Sequence, residues 1–140
     1  MERTNRQPLY ANRFYEGIIM NVAVIGASDK PDRYSYQAVM LLKEKRHTVF
    51  PVHQRIKDIE GIPVYASIQD IKDPIDTISM YVAADISSTI SDDLIAKKPR
   101  RIIFNPGAEN PELADKAKAN GILPINACTL VMLRTGQFLK

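Results

Sequence analysis

A strand that ends at a glycine and leads into a helix is the feature that most constrains the fold of this chain. The apolar residues 22–25 predict a buried strand, and Gly26 allows the backbone to turn tightly after it. Ser35 is predicted to cap a helix that continues through about Arg46. Because a helix that follows such a turn directs its unpaired N–H groups toward an anion, the segment favours an α/β fold with a phosphate site.

Strands and helices alternate through the rest of the sequence. Further strands are predicted at residues 48–52, 62–65, 77–82, 101–105 and 122–125. Parallel strands need a crossover between them, and this crossover is usually a helix. The alternation therefore predicts an open α/β sheet of about five parallel strands with helices on both faces.

Two of the later helices carry clear boundary signals. Apolar side chains recur every four positions over residues 86–94 and predict a helix with Lys97 and Lys98 in its last turn, where cations complement the helix dipole. Asn110 is predicted to cap another helix, which closes at Gly121.

One domain is expected over residues 20–140, since the 140-residue chain has the size of a single domain. Residues 1–19 show no clean periodicity and lack the apolar segment of a signal peptide. We interpret them as a flexible extension, a cloning remnant or an overlong start.

Charge and composition exclude several classes of partner. The net charge of +3 comes from 19 basic and 16 acidic residues without a concentrated basic face, so no nucleic acid is expected. No apolar run approaches the length of about 18 residues that is needed to span a membrane.

The single cysteine, Cys128, fits a reducing compartment, and a cytoplasmic location is expected. An exposed apolar face on residues 130–139 would indicate a homodimer, and an unknown protein partner stays open.

Ligands of open α/β sheets bind beyond the carboxyl ends of the strands. The first such turn of this chain carries two cations, Lys30 and Arg33. The dinucleotide fingerprint G-x-G-x-x-G is not met, because Ser28 and Pro31 stand where glycines are required. The turn therefore suits a phosphate without identifying a dinucleotide.

The turn after the second predicted strand contains no acid. It reads His53-Gln54-Arg55, whereas an NAD site usually places Asp or Glu there to accept the ribose hydroxyls. A cation suits a ribose that carries its own phosphate, since a guanidinium binds two phosphate oxygens at once. Coenzyme A and NADP both satisfy this condition, and His53 and Arg55 could also be solvated loop residues.

Four short motifs lie in order along the chain: Gly26-Ala27-Ser28 with Arg33-Tyr34-Ser35-Tyr36, a Val-Phe-Pro-Val strand ending near Arg55, Gly61-Ile62-Pro63-Val64-Tyr65, and Phe104-Asn105-Pro106-Gly107-Ala108-Glu109-Asn110. Their combination resembles the family of stand-alone CoA-binding domains. That family is similar to the nucleotide-binding domain of the succinyl-CoA synthetase α subunit. The likeness covers about residues 20–138.

The resemblance implies a Rossmann-like domain that holds CoA over the first turn and the ends of the second and fourth strands. It assigns phosphate contacts to the first turn, the ribose phosphate to Arg55, and the adenine region to Val82 and Ala83. With the other polar residues at strand ends, the predicted cofactor-binding set is Gly26, Ala27, Ser28, Lys30, Arg33, Ser35, His53, Arg55, Val82, Ala83, Asn105 and Gly107. Relatives often have Val-Asn-Pro where this chain has Val52-His53-Gln54, so the second strand departs from the pattern.

No catalytic or metal-binding residue is predicted. The sequence contains no G-x-S-x-G motif, no P-loop and no His/Cys metal spacing. Cys128 is expected to be a buried small apolar residue, and Glu109 to support the next helix. The leading hypothesis is binding of CoA or an acyl-CoA, a small-molecule nucleotide ligand, without chemistry. The alternatives are an NADP-binding enzyme or redox sensor, and a protein-interaction module with a vestigial crevice.

Overall fold

The computed structural model describes residues 18–140. The predicted extension, residues 1–19, lies outside the described residues except for Ile18 and Ile19, whose side chains are exposed. None of the helices within residues 18–140 has the length and apolar character of a membrane span.

Seven strands and five helices make up the described chain. The strands are β1 (Asn21–Ile25), β2 (Thr48–Val52), β3 (Asp58–Ile59), β4 (Ile62–Pro63), β5 (Thr77–Met80), β6 (Arg101–Phe104) and β7 (Leu123–Asn126). The helices are α1 (Tyr34–Glu44), α2 (Ala84–Ser87), α3 (Ser91–Ala96), α4 (Pro111–Ala119) and α5 (Thr129–Arg134), with 3₁₀ turns at Ile68–Asp70 and Ser88–Ile90.

Five of the strands form one parallel sheet in the order β2-β1-β5-β6-β7. This sheet confirms the predicted Rossmann-like α/β fold. Successive residues of β1 point to opposite faces. Val22 and Val24 pack with residues of α1 and α5, whereas Ala23 and Ile25 pack with residues of α3 and α4. The sheet therefore has a core on each face, as the nearly continuous apolar strands require.

The start of α1 differs from the prediction. Arg33 occupies the N-cap, and Ser35 is the second helical residue and only 6% exposed, so the predicted serine cap is wrong. The Arg33 backbone is extended, with φ −85° and ψ 141°, and its N–H donates to the Lys30 carbonyl over 3.0 Å. This turn at residues 30–33 brings the chain into the helix before Ser35 is reached.

The helix predicted through Lys97 and Lys98 is also wrong in part. Residues 84–96 form α2, a 3₁₀ turn and α3, and Lys97 is the C-cap rather than a last-turn residue. The hydroxyl of Thr89 donates to the Ile86 carbonyl over 2.6 Å. Since Ser and Thr hydroxyls compete for backbone carbonyls, the run of hydroxyl residues at 87–89 explains the interruption.

The hairpin of β3 and β4 was not predicted as a pair. Its turn residues Glu60 and Gly61 both have positive φ, 49° and 87°. Two successive residues with positive φ are typical of the tight turns that join antiparallel strands. The hairpin packs Ile59 against the α1 side of the core.

The order of the sheet reverses at β1, which has β2 on one side and β5 on the other. Gly26 follows β1 with φ 86°, and a Cβ added there would lie 2.7 Å from Val82 Cγ1 and 3.3 Å from the Tyr81 carbonyl carbon. Ligands of such sheets bind at the point of reversal. Gly26 and Val82 therefore lie in close contact at the point where the strand order reverses.

A buried arginine closes the opposite end of the sheet. Arg101 donates to Thr77 Oγ1 over 2.8 Å and to the Phe138 carbonyl over 2.6 Å, and its guanidinium carbon lies 4.5 Å from the centre of the Phe138 ring. Burial lowers the pKa of Arg101 to about 10, so it stays charged at neutral pH. The His47 ring lies 5.3 Å from that of Phe138, and its Nδ1 accepts the Met20 N–H over 3.1 Å.

Replacing Gly26 by alanine is expected to destabilise the fold more than the same change at Gly121. Both glycines have positive φ, but nothing lies within 4 Å of a Cβ at Gly121. Gly121→Ala should lower the free energy of unfolding by about 1 kcal/mol, and Gly26→Ala by about 2 kcal/mol or more because the collision with Val82 is added. Urea unfolding measures both, and equal losses would contradict the close approach.

The stability of the fold is expected to fall as the pH drops below about 6.5, the ordinary pKa of histidine. Burial, followed by the charge of Arg101, lowers the pKa of His47. The unfolded chain then binds more protons than the folded chain, so acidification favours unfolding. His47→Asn keeps a hydrogen-bond acceptor without titrating and should flatten the curve of unfolding free energy between about pH 7.5 and about pH 5. An unchanged slope in this variant would contradict the assignment.

Candidate functional site

A cavity of about 530 Å³ opens at the carboxyl ends of β1, β2 and β5. Its volume lies within the range of about 300–1,000 Å³ found for small-molecule sites. It is lined by Ile25, Gly26, Val52, His53, Gln54, Arg55, Ala66, Ser67, Ile68, Val82, Ile86, Thr89, Ile90 and Asp93. The cavity therefore occupies the position at which the strand order reverses, where a ligand was expected.

The turn after β1 is tied to the end of β2. The N–H groups of Gly26 and Ala27 both donate to the Val52 carbonyl over 3.1 Å. Gly26 lines the cavity, whereas Ala27 is 2% exposed and packs in the core on the α1 side. The two N–H groups are thus already used within the protein, and Gly26 contributes an open backbone surface instead.

Three other predicted residues lie further along this turn. The Ser28 hydroxyl accepts the Lys30 N–H over 3.1 Å, and the side chains of Lys30 and Arg33 are exposed. None of the three lines the cavity. Ser35 is buried in the first turn of α1. The cations of this turn are therefore exposed and lie outside the lining of the cavity.

The end of β2 forms the basic side of the cavity. His53 Nδ1 accepts the N–H of Arg55 over 3.0 Å and the N–H of Ile56 over 3.2 Å. The His53 N–H donates to the Tyr65 carbonyl over 2.9 Å. The chain thus turns at His53 and presents Arg55, with an exposed side chain, in the lining of the cavity.

An apolar side of the cavity is formed by Val82, by α2 and by the 3₁₀ turn that follows it. Val82, Ile86 and Ile90 line the cavity there, and the Ile86 side chain is 51% exposed. Ala83 is the N-cap of α2 and lies at the surface, next to the lining residue Val82. A face formed by these branched side chains can cover one side of a flat aromatic ring.

Asn110 holds this apolar side in place. Its side-chain oxygen caps α4 by accepting the Leu113 N–H over 3.1 Å, which confirms the predicted cap. Its side-chain nitrogen donates to Ser87 Oγ over 2.8 Å and to Ser88 Oγ over 3.0 Å. One amide therefore joins the start of α4 to the end of α2.

Asn105 is held within the protein rather than at the cavity. Its side-chain nitrogen donates to Ser79 Oγ over 3.0 Å and to the Met80 carbonyl over 2.9 Å, and its oxygen accepts the Thr129 N–H over 2.8 Å. The residue is 2% exposed. Gly107 is exposed, and its N–H donates to Glu109 Oε1 over 2.9 Å.

Two further side chains, one directly after β5 and one after β7, are not part of the cavity lining. Burial raises the pKa of Tyr81 to about 12, so its hydroxyl stays protonated. Cys128 is the N-cap residue of α5 and is partly exposed, which differs from the expected buried position. In the part of the chain that the structure covers, no group of three or more His, Cys, Asp or Glu side chains is arranged to hold a metal ion.

The cavity brings together four members of the predicted set, namely Gly26, His53, Arg55 and Val82. It also contains residues that were not in the predicted set, namely Ile25, Val52, Gln54, Ala66, Ser67, Ile68, Ile86, Thr89, Ile90 and Asp93. Of these, Ile86 and Ile90 gave a sequence signal, because their four-residue spacing predicts a helix, but that spacing does not indicate a ligand site.

Comparison with known proteins gives a consistent family relationship. A family model described as CoA binding domain matches residues 20–134. The uncharacterized protein YneT of Bacillus subtilis is 23% identical over 100 residues, which is 71% of this chain and 74% of that protein. A crystal structure of an uncharacterized protein has a TM-score of 0.82 at 33% identity, covering 86% of this chain and 99% of that one.

A shorter match links the chain to part of an enzyme. The alpha subunit of acetate–CoA ligase (ADP-forming) II of Pyrococcus furiosus is 36% identical over 62 residues, which is 44% of this chain and 14% of that subunit. The family model, in contrast, spans all five strands of the parallel sheet and the turns that form the cavity. The chain belongs to the CoA binding domain family.

Proposed function

We propose that this protein binds coenzyme A or an acyl-CoA through its adenosine phosphate moiety, in the cavity at the ends of β1, β2 and β5, without chemistry of its own. The observation that carries the proposal is the position of Arg55, which lines the cavity directly after β2. A carboxylate at this place would favour a free ribose, whereas a guanidinium favours a phosphorylated one.

The apolar part of the cavity lining supports an adenine ring. Val82, Ile86 and Ile90 form one apolar side, and Val52 and Ile68 line the cavity from the strand and from the 3₁₀ turn. A planar base buries both of its faces between such surfaces.

The polar groups of the lining suit the edge of the same base. Ser67, Thr89 and Asp93 belong to the cavity, and Gln69 Nε2 donates to the Asp93 carboxylate. A hydroxyl and a carboxylate can each accept a hydrogen bond from the exocyclic amino group of adenine. These few polar groups among apolar ones are typical of a nucleotide pocket.

The first turn supports the phosphates. Gly26 lines the cavity with backbone atoms alone, and Lys30 and Arg33 are exposed on the same turn. No side chain caps the start of the eleven-residue helix α1, so its first N–H groups are not used by a capping side chain. Cations and a helix start together attract a diphosphate.

Membership of the CoA binding domain family favours CoA over NADP. The matching segment of the Pyrococcus protein belongs to an enzyme named for acetate and CoA. NADP also carries a ribose phosphate and is therefore the competitor to be measured.

Coenzyme A is expected to raise the melting temperature of the protein more than NADP, and NADP more than NAD. At ~100-fold excess over Kd a ligand adds about 2.7 kcal/mol, which raises the melting temperature by several degrees for a domain of this size. Thermal unfolding in the presence of each compound measures the three increases in melting temperature. A shift with NADP and none with CoA would refute the proposal. Mass spectrometry of small molecules released from the purified protein tests the alternative of an empty, vestigial crevice.

Arg55→Ala is expected to weaken CoA binding by about tenfold or more, the usual value of one charge-assisted hydrogen bond to a phosphate. Its control is Lys57→Ala, which removes an exposed cation two residues away that does not line the cavity. Calorimetric titration with CoA and with dephospho-CoA measures the affinity of both variants for each compound. Arg55→Ala should affect CoA far more than dephospho-CoA, and equal effects of the two variants on CoA would contradict the role of Arg55.

A further inference from the structure

We infer that His53 is a positioning residue that determines selectivity for a phosphorylated ribose. Its Nδ1 holds the turn that presents Arg55 to the cavity, and the ring need not touch the ligand. The inference rests on the proposed function, because it concerns the ribose phosphate of the proposed ligand.

The turn at residues 53–56 has no residue that would shape it by backbone preference alone. The sequence His53-Gln54-Arg55-Ile56 contains no glycine, proline, asparagine, aspartate or serine, the residues that usually form turns. Its backbone N–H groups at Arg55 and Ile56 bond instead to His53 Nδ1, over 3.0 and 3.2 Å. The imidazole therefore supplies the acceptor that a turn-forming side chain would otherwise provide.

Both ends of this turn are fixed to the body of the protein. The His53 N–H donates to the Tyr65 carbonyl over 2.9 Å, and the Tyr65 N–H in turn donates to the Pro51 carbonyl over 2.9 Å. Ile56 packs against the core on the α1 side. Arg55 lies between these two anchors, so the ring that closes the turn also sets where the Arg55 backbone stands relative to the cavity.

The hydrogen bonds of His53 define which ring atom acts. A ring nitrogen that accepts carries no hydrogen, so in the neutral ring the hydrogen is on Nε2. The role of His53 in the turn, which uses Nδ1, can therefore be separated by substitution from a direct contact with the ligand, which would use Nε2–H. Asparagine places its Oδ1 as many bonds from Cα as Nδ1 is, whereas glutamine places its amide nitrogen as many bonds away as Nε2.

His53→Asn is expected to keep the affinity for CoA within about threefold, because a short amide oxygen can accept the same two N–H groups. His53→Gln is expected to lose about tenfold, since its amide lies beyond them and the Arg55 contact is weakened. The loss should be seen with CoA and be small with dephospho-CoA, which a general loss of folding would not produce. Calorimetric titration of both variants with both compounds measures these values, and thermal unfolding confirms that each variant is folded.

A loss in His53→Asn as large as that in His53→Gln would overturn the inference, as would a loss in His53→Gln of equal size with both compounds. Hydrogen exchange of the free protein provides a test that needs no ligand. The amides of Arg55 and Ile56 should lose protection in His53→Gln and keep it in His53→Asn. Unchanged protection in His53→Gln would refute the positioning role. Failure of the wild-type protein to bind CoA, with the exchange pattern as expected, would refute the proposed ligand alone.

Discussion

The close approach of the chain after β1 to the chain after β5 is the constraint on which the site depends. Gly26 stands where a Cβ would be 2.7 Å from Val82, and its N–H bonds to the Val52 carbonyl at the end of β2. The ends of β1, β2 and β5 are thereby held together, with the Val82 side chain filling the space where a Gly26 side chain would stand. A larger residue at this point would collide with Val82, which itself lines the cavity, and the other walls are formed by the turns and helices beyond the strand ends.

The sequence predicted best those features whose signals are local. Asn110 caps α4 and Gly121 closes it with φ 76°, because a side-chain acceptor and a residue tolerant of positive φ act within a few residues. Ser35 was wrong as a cap since the turn at residues 30–33 delivers the chain into the helix earlier. Local patterns thus identified the elements, and the geometry of the preceding turn decided where one of them began.

The site was predicted less completely because it is assembled from residues distant in sequence. Ile86 and Ile90 have the spacing of one helix face, and both line the cavity, but Ile90 also packs against the core whereas Ile86 is 51% exposed. No local pattern distinguishes these uses. Asn105 follows a strand as a ligand-binding residue would, but its amide bonds to Ser79 and Thr129 inside the protein. Both outcomes depend on what packs opposite each side chain, and a single sequence does not contain that information.

The two histidines of the chain show how environment separates residues with the same hydrogen-bonding role. His47 and His53 each accept backbone N–H groups through Nδ1. His47 is 8% exposed beside Phe138 and Arg101, where its Nδ1 accepts the Met20 N–H at the end of the sheet opposite the cavity. His53 accepts its two N–H groups beside an open cavity, and the turn that it closes carries Arg55 in the lining of that cavity. The same chemical group therefore supports the fold at one end of the sheet and the proposed site at the other.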